Sequence, residues 1–351
     1  MEVRALLITN PCATTTTRVR RDVIAHALTS ALDLETVETR YRGHAYHVAR
    51  EASMAGYGLV LTLGGDGTVN EAVNGLLRAG RGDPAPGPVP SAPSPGPPAP
   101  DPTPPAAAPT PPPAAPPPAP AAPSAAPTPA FAALPGGNAN VFARALGLPA
   151  DPVDATGRIL QALACGRNRL ISLGLAGDRY FCFNAGLGLD AEVVRGVEGL
   201  RASGRAISAP LYLRAAVRQF YMVTDRRLPA LTLAREGQPD IAGLFCGIVS
   251  NTSPWTYLGD RPVRSSPQAS FDAGLDLFAL RKLSTFTTLN AVRQMLGSGP
   301  PHGKHIVGLH DLAGFTLRSS RPIAFQTNGE YLGERECVTF TSLPNALRVI
   351  A

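Results

Sequence analysis

Gly64, Gly65, Asp66, Gly67 and Thr68 close an apolar run, Gly58 to Leu63, and precede a stretch, Asn70 to Leu77, whose apolar residues recur at helical spacing. Strand, tight loop and helix in that order can hold an anion. Glycines at 64, 65 and 67 remove the Cβ atoms that would keep a phosphate off the backbone and allow positive φ, so that consecutive N–H groups can converge on it. The helix expected from about Thr68 adds its unpaired N–H groups and its positive dipole end. Asp66 would repel a bare phosphate; it is expected either to meet one through Mg2+ or to hold the loop. An Asp-Gly turn between a strand and a helix is the plainer explanation of the same residues.

Two further stretches carry polar groups at turns. Leu134 to Pro149 reads LPGGNANVFARALGLP, a strand end, a glycine pair, and Asn138 or Asn140 placed to cap a helix over Val141 to Leu146. Thr327 to Gly333 reads TNGEYLG, and Glu330 follows a strand and a glycine turn from which a carboxylate can reach a cleft. Taken alone, Glu330 reads as a solvated turn acid.

Together these stretches resemble the diacylglycerol kinase catalytic-domain superfamily, which includes bacterial soluble lipid kinases, sphingosine kinases and ceramide kinases. GGDGT followed by Asn70-Glu71 is similar to its nucleotide loop, and Asn140, Phe142, Ala143, Arg144 and Leu146 match its N-x-F-A-R-x-L block. NAD kinases and phosphofructokinases carry related GGDG loops, but the second block argues for a lipid kinase over a NAD kinase. The resemblance implies a nucleotide held by Asn10, Pro11, Thr39, Gly64, Gly65, Asp66, Gly67, Thr68, Asn70 and Asn138, with Asp66 organising Mg2+. It implies Glu330 as general base, and a structural Mg2+ near Ser270 to Leu277 (SFDAGLDL). Ala273 stands there where an acid is usual, leaving Asp272 or Asp276 to substitute. Asn138 replaces a usual threonine and Asn328 a usual aspartate. Glu71 reads as mainly structural, being an acid near a helix amino terminus.

The activity implied is ATP-dependent phosphorylation of a primary hydroxyl of diacylglycerol or a similar lipid. A sphingoid or long-chain base is the alternative acceptor, and a catalytically inactive lipid-binding regulator the alternative class. ATP and Mg2+ are the expected cofactors. The expected partner is a lipid at the membrane surface, met peripherally; no nucleic acid is expected, and a homodimer is compatible with the sequence.

The elements that must position these groups follow from patterning. Arg4 to Thr9, the helix of about Arg18 to Leu32, Leu34 to Arg40, the helix His44 to Ala55 and the GGDGT strand form a βαβαβ series, hence a parallel sheet with ligands at the carboxyl ends of its strands. The first helix places Val19, Val23, Ile24, Ala27 and Leu28 toward that sheet. From Pro84 to Pro129 the chain is nearly all Pro, Ala, Ser, Thr and Gly and holds 23 of the 37 prolines. Such a segment has too few bulky apolar side chains to build a core. After a further helix, Pro152 to Cys165, short strand-like runs succeed one another (Arg169 to Leu175, Asp178 to Ala185, Ala230 to Arg235, Ala242 to Ser250, Leu275 to Leu280, Gly314 to Arg318, Ile323 to Thr327, Cys337 to Thr341), with helices at Ala191 to Glu198 and Pro210 to Met222.

The fold class is therefore α/β plus β: a nucleotide-binding domain at residues 1–165, interrupted by the insert at 83–130, and a β-sandwich-like domain at 166–351 whose last residues return toward the first, with the active site in the cleft between. Gly186 and Gly188 suggest close backbone approach near that cleft. His302, His305 and His310 with Lys304 read as a Gly/Pro-rich loop without acid partners, solvated or touching a lipid headgroup.

Across 351 residues, 44% hydrophobic content is that of a globular protein, and a net charge of +6 suits an anionic partner. Five cysteines without CxxC spacing argue against a metal knuckle or a disulfide framework. With no apolar run long enough to span a bilayer and an apolar amino-terminal stretch too short for a signal peptide, the expected location is cytoplasmic, at the inner membrane face.

Overall fold

A computed structural model describes residues 3–13, 16–79, 128–202, 217–221, 224 and 226–351. Apart from residues 128 and 129, the Pro-rich insert of 84–129 lies outside the described residues, as does the expected helix 210–222 except for the helical residues 217–221.

The first half is built on four parallel strands, β1 (Arg4–Thr9), β2 (Asp33–Glu38), β3 (Leu59–Gly64) and β4 (Ala130–Pro135), in the order β2-β1-β3-β4. Ala5 lies opposite Leu34 on one side and Leu59 on the other, and Leu63 lies opposite Leu134. A parallel strand covered on both faces reads as an unbroken apolar run, and β3 is buried at all six positions. Helices α1 (Arg18–Thr29), α2 (His44–Met54) and α3 (Asp66–Arg78) make the crossovers. They leave Asn10, Gly65 and Gly136 side by side at the carboxyl edge. In α1 only Ile24 and Leu28 are fully buried; Val19 and Val23 are 71% and 51% exposed. At about 100° per residue these two valines sit 100° or more round the helix from Ile24, off the stripe that meets the sheet.

After α4 (Val141–Ala145) and α5 (Pro152–Ala164) the chain becomes mainly antiparallel. Asp151 starts α5 by accepting the N–H groups of Val153 and Asp154 at 2.8 and 3.2 Å. The strands are β5 (Arg169–Ala176), β6 (Arg179–Phe181), β7 (Asn184–Leu187), β8 (Leu231–Arg235), β9 (Gln238–Leu244), β10 (Cys246–Ser250), the hairpin β11 (Thr256–Leu258) with β12 (Arg261–Val263), β13 (Leu275–Leu280), β14 (Ile306–Leu312), β15 (Gly314–Thr327) and β16 (Glu330–Val349). Helix α6 (Leu189–Ala202) follows β7, and α7 (Thr285–Met295) follows β13. Phe181, Phe315 and Phe340 pack ring on ring in this second core. The expected run from Asp178 to Ala185 is two strands, β6 and β7. The hairpin β11–β12, β14 and α7 have no counterpart among the expected elements.

The last strand joins the halves. Val349 pairs in parallel with Phe131, and the Ile350 N–H donates to the Phe131 carbonyl at 2.9 Å. Leu347, Val349 and Ile350 pack with Phe131 in the first core, so one sheet runs from β2 to β14 without an edge at residue 165.

Candidate functional site

At the carboxyl edge the GGDGT loop leans on the loop after β4. A Cβ on Gly136 would come within 2.9 Å of the Gly64 backbone, and one on Gly137 within 2.7 Å of the Gly65 Cα. The Gly136 N–H donates to the Gly64 carbonyl at 2.8 Å. Gly64, Gly65 and Gly67 all keep negative φ or extended backbone, so close approach, and not the positive φ expected from sequence, is what requires Gly64 and its neighbours. Gly67 differs: nothing lies within 4 Å of where its Cβ would be. The helix begins at Asp66, two residues before the position expected, so its unpaired first-turn N–H groups stand at the carboxyl edge of the sheet.

Asp66 does not face that space as a metal ligand. Its two oxygens accept the N–H groups of Val141 and Phe142 at 3.0 and 3.1 Å, and so cap α4 from another part of the chain. Asn140 precedes α4 in left-handed backbone (φ 47°) and cannot cap it; its amide instead closes a ring with the N–H and carbonyl of Gly137, each at 2.7 Å. Burial raises the Asp66 pKa, and the two N–H groups pull it back. The two sequence blocks are thus one physical unit.

Asn10 closes the other side. Its Nδ2 donates to Thr68 Oγ1 at 3.2 Å, its N–H to the Leu63 carbonyl at 3.0 Å, and its Oδ1 accepts from Cys12 N. Thr39 stands on the same edge, its N–H on the Thr9 carbonyl at 2.8 Å. Pro11 and Asn138 are exposed there. Asn70, expected at the nucleotide, is instead fully buried. Its Oδ1 accepts from Asn328 Nδ2 at 2.7 Å and from Asn74 Nδ2 at 3.0 Å. Asn328, at φ 50°, accepts the N–H groups of Cys182 and Phe183 at 3.1 and 3.0 Å. The asparagine that stands in place of an acid is therefore a knot between α3, β6 and the β15–β16 turn.

Glu330 begins β16 with one guanidinium on each oxygen. Arg42 reaches Oε1 at 2.5 Å and Arg179 reaches Oε2 at 2.5 Å. Arg42 also approaches Glu198 at 3.4 Å. Burial works against the charge of Arg42, but Glu330 and Glu198 outweigh it and hold its pKa above the ordinary value. Glu71 fixes this loop, accepting the Gly43 N–H at 2.8 Å; burial raises its pKa, with Glu330 adding to the rise. Neither arginine was expected from sequence. Arg42 sits between Thr39 and Gly43 on the ligand edge, a signal that was present; Arg179 follows a plain hairpin turn and gives none.

The acids near Ser270 to Leu277 lie apart from this edge. Asp272 is exposed, 3.9 Å from Arg169. Asp276 is buried and accepts from His310 Nδ1 at 2.7 Å and from the Asp311 N–H at 3.0 Å. His310 thus lies on β14 with an acid partner, contrary to the solvated loop expected. Among the described residues no group of three or more His, Cys, Asp or Glu could hold a metal. Asp66 has both oxygens on N–H groups, Asp276 takes His310 and an N–H on its Oδ1, and the exposed Asp272 faces Arg169, a donor set that does not fit protein-held Mg2+ in either place.

Residues 4–167 match the diacylglycerol kinase catalytic domain, the span that contains Asn10, Thr39, the GGDGT loop and α4. These residues form a diacylglycerol kinase catalytic domain. The chain is 30% identical over 151 residues to a Chromohalobacter salexigens protein named "Probable lipid kinase YegS-like", and 27% identical over 157 residues to a diacylglycerol kinase of Bacillus subtilis. Those alignments take in 43% and 44% of this chain but only 33% and 35% of the relatives' lengths. The crystal structure of a diacylglycerol kinase from Bacillus anthracis superposes with a TM-score of 0.64 at 18% identity, covering 99% of this chain and 96% of that one. At that identity the likeness establishes the fold: a parallel α/β sheet followed by a large antiparallel sheet. No helix among the described residues is long and apolar enough to cross a membrane.

Proposed function

We propose that the protein is an ATP-dependent lipid kinase that phosphorylates a primary hydroxyl of diacylglycerol or a similar lipid. The observation that carries this reading is the Asp66 cap, which locks the GGDGT loop to α4 and leaves open space beside Gly67 at the start of α3. The phosphates of ATP would lie on the first-turn N–H groups of α3, with Asn10 and Thr39 flanking. Transfer of a phosphoryl group asks a protein chiefly for positioning and for charge to balance the moving oxygens. Arg42 and Arg179 supply that charge. Glu330 takes the acceptor's proton after Arg42, 52% exposed against 12% for Arg179, turns from it to the phosphates. The lipid would be met from the cytoplasmic face of the membrane.

A non-catalytic lipid-binding role is the second reading, favoured by the double ion pair that occupies both oxygens of Glu330. Transfer of label from γ-labelled ATP to diacylglycerol, monoacylglycerol, sphingosine, ceramide and NAD separates them. A single labelled lipid supports the kinase and names its acceptor. ATP binding with no labelled product supports the second reading, and labelled NAD refutes both.

A further inference from the structure

Behind the helix that Asp66 caps, a cavity of about 590 Å3 opens between α4, the hairpin β11–β12 and the loop before β13. Three arginines line it, Arg144, Arg169 and Arg264. Two are propped on aromatic rings: the Arg144 guanidinium lies 3.4 Å from the centre of Tyr257, and that of Arg169 lies 5.8 Å from Phe271. Stacking of this kind fixes the guanidinium plane. Arg144 also donates Nη1 to the Gly259 carbonyl at 3.4 Å, so Arg169 and Arg264 keep more of their N–H edges for an anion.

The acids present do not neutralise them. Asp260 and Asp272 approach Arg144 and Arg169 at 3.7 and 3.9 Å and are 101% and 74% exposed, so solvent screens both contacts. Arg264 makes no ion pair among the described residues. Thr252 and Ser253 complete the same wall. Three cations with two weak, exposed counter-charges lack an oxyanion.

We infer that this cavity binds a phosphate-bearing anion, either free phosphate or the phosphate headgroup of a lipid. Several convergent guanidinium groups suit a tetrahedral, multiply charged oxyanion better than a single carboxylate. The volume exceeds that of phosphate alone and has room for the group it esterifies. None of the lining residues belongs to the Gly64 to Thr68 loop, so the site stands whether or not the phosphoryl-transfer reading does.

The only tryptophan of the chain, Trp255, adjoins the cavity wall and reports on it. The full-length protein would be titrated with inorganic phosphate, dihexanoyl phosphatidate and, as a zwitterionic control, dihexanoyl phosphatidylcholine, reading Trp255 emission and the heat of binding. Saturable binding of phosphate is expected if the source is the free ion, and of phosphatidate alone if it is a headgroup. Either way Arg264→Ala should raise Kd about tenfold and Arg264→Lys less. Arg169→Gln, at a half-exposed position, should weaken the same ligand. No saturable signal by either readout, or a Kd unchanged in both Arg264→Ala and Arg169→Gln, would overturn the assignment.

Discussion

Asp66 and Val141 are 75 residues apart in the chain and joined by a 3.0 Å hydrogen bond from the Val141 N–H to the Asp66 carboxylate. The acid of the glycine loop thereby serves as the cap that α4 does not get from Asn140. Asp66→Ala leaves two helix N–H groups without a partner and should lower stability by about 1–3 kcal/mol. Thermal unfolding measured without nucleotide or metal would show the loss. An unchanged Tm with lost activity would instead point to a ligand role for Asp66.

The glycines of the edge divide into two kinds that substitution can tell apart. Gly137→Ala drives a Cβ into the Gly65 backbone and should cost about 1–3 kcal/mol, since neither loop is free to move. Gly67→Ala meets nothing within 4 Å and sits in the first turn of a helix, so stability should hold or rise by up to about 1 kcal/mol. Its methyl group would occupy the space proposed for phosphate, and affinity for ATP should fall at least about tenfold. Paired melting curves and nucleotide titrations check both halves.

Asp190, 8% exposed in the first turn of α6, accepts from Gln326 Nε2 at 2.6 Å, and the missing Cβ of Gly186 makes room for its carboxyl. Burial pushes its pKa up to about 6, with Gln326 pulling the other way. The folded state therefore holds the proton more tightly than the unfolded chain, whose value is ~3.9. The resulting stability is fully present below about pH 4 and is lost as pH rises through about 6, an amount of ~3 kcal/mol at ~1.4 kcal/mol per pH unit. Asp190→Asn should remove this term, so its stability relative to the natural protein should rise between about pH 4 and about pH 7.5. Urea unfolding of both proteins at the two ends of that range measures it; a constant difference contradicts it.

Glu330 faces two arginines in different surroundings. Arg179→Gln removes a guanidinium that is 12% exposed and should lower stability by about 1–3 kcal/mol, whereas Arg42→Gln, at 52% exposure, should change it by less than ~1 kcal/mol. Equal losses in chemical unfolding would mean that Arg42 is as firmly held as Arg179 and is not the arm that moves.

The parallel sheet was legible because buried strands and covering helices leave strong patterns: β3 is apolar throughout, and its loop announces itself by three glycines. The role of Asp66 was legible only as one of two options, since the N–H groups it caps lie across a long insert. Asn70 was misplaced because an amide after a glycine loop looks the same whether it turns to a ligand or into a buried knot with Asn74 and Asn328. Helix α7 escaped notice because its first turn, Thr-Phe-Thr-Thr, favours strands; its sign was Ser284, whose hydroxyl accepts the Thr287 N–H at 3.3 Å. His310 looked solvated because Asp276, its partner, comes from a strand 34 positions away.

The central claim is tested most directly by the rate at which γ-labelled ATP labels dispersed diacylglycerol, with the natural protein and Glu330→Gln compared at saturating ATP. A labelled lipid phosphate whose rate falls about 100-fold or more in Glu330→Gln, with the KM for ATP within about twofold, is the predicted result. ATP bound normally by both proteins with no labelled lipid from either would contradict it.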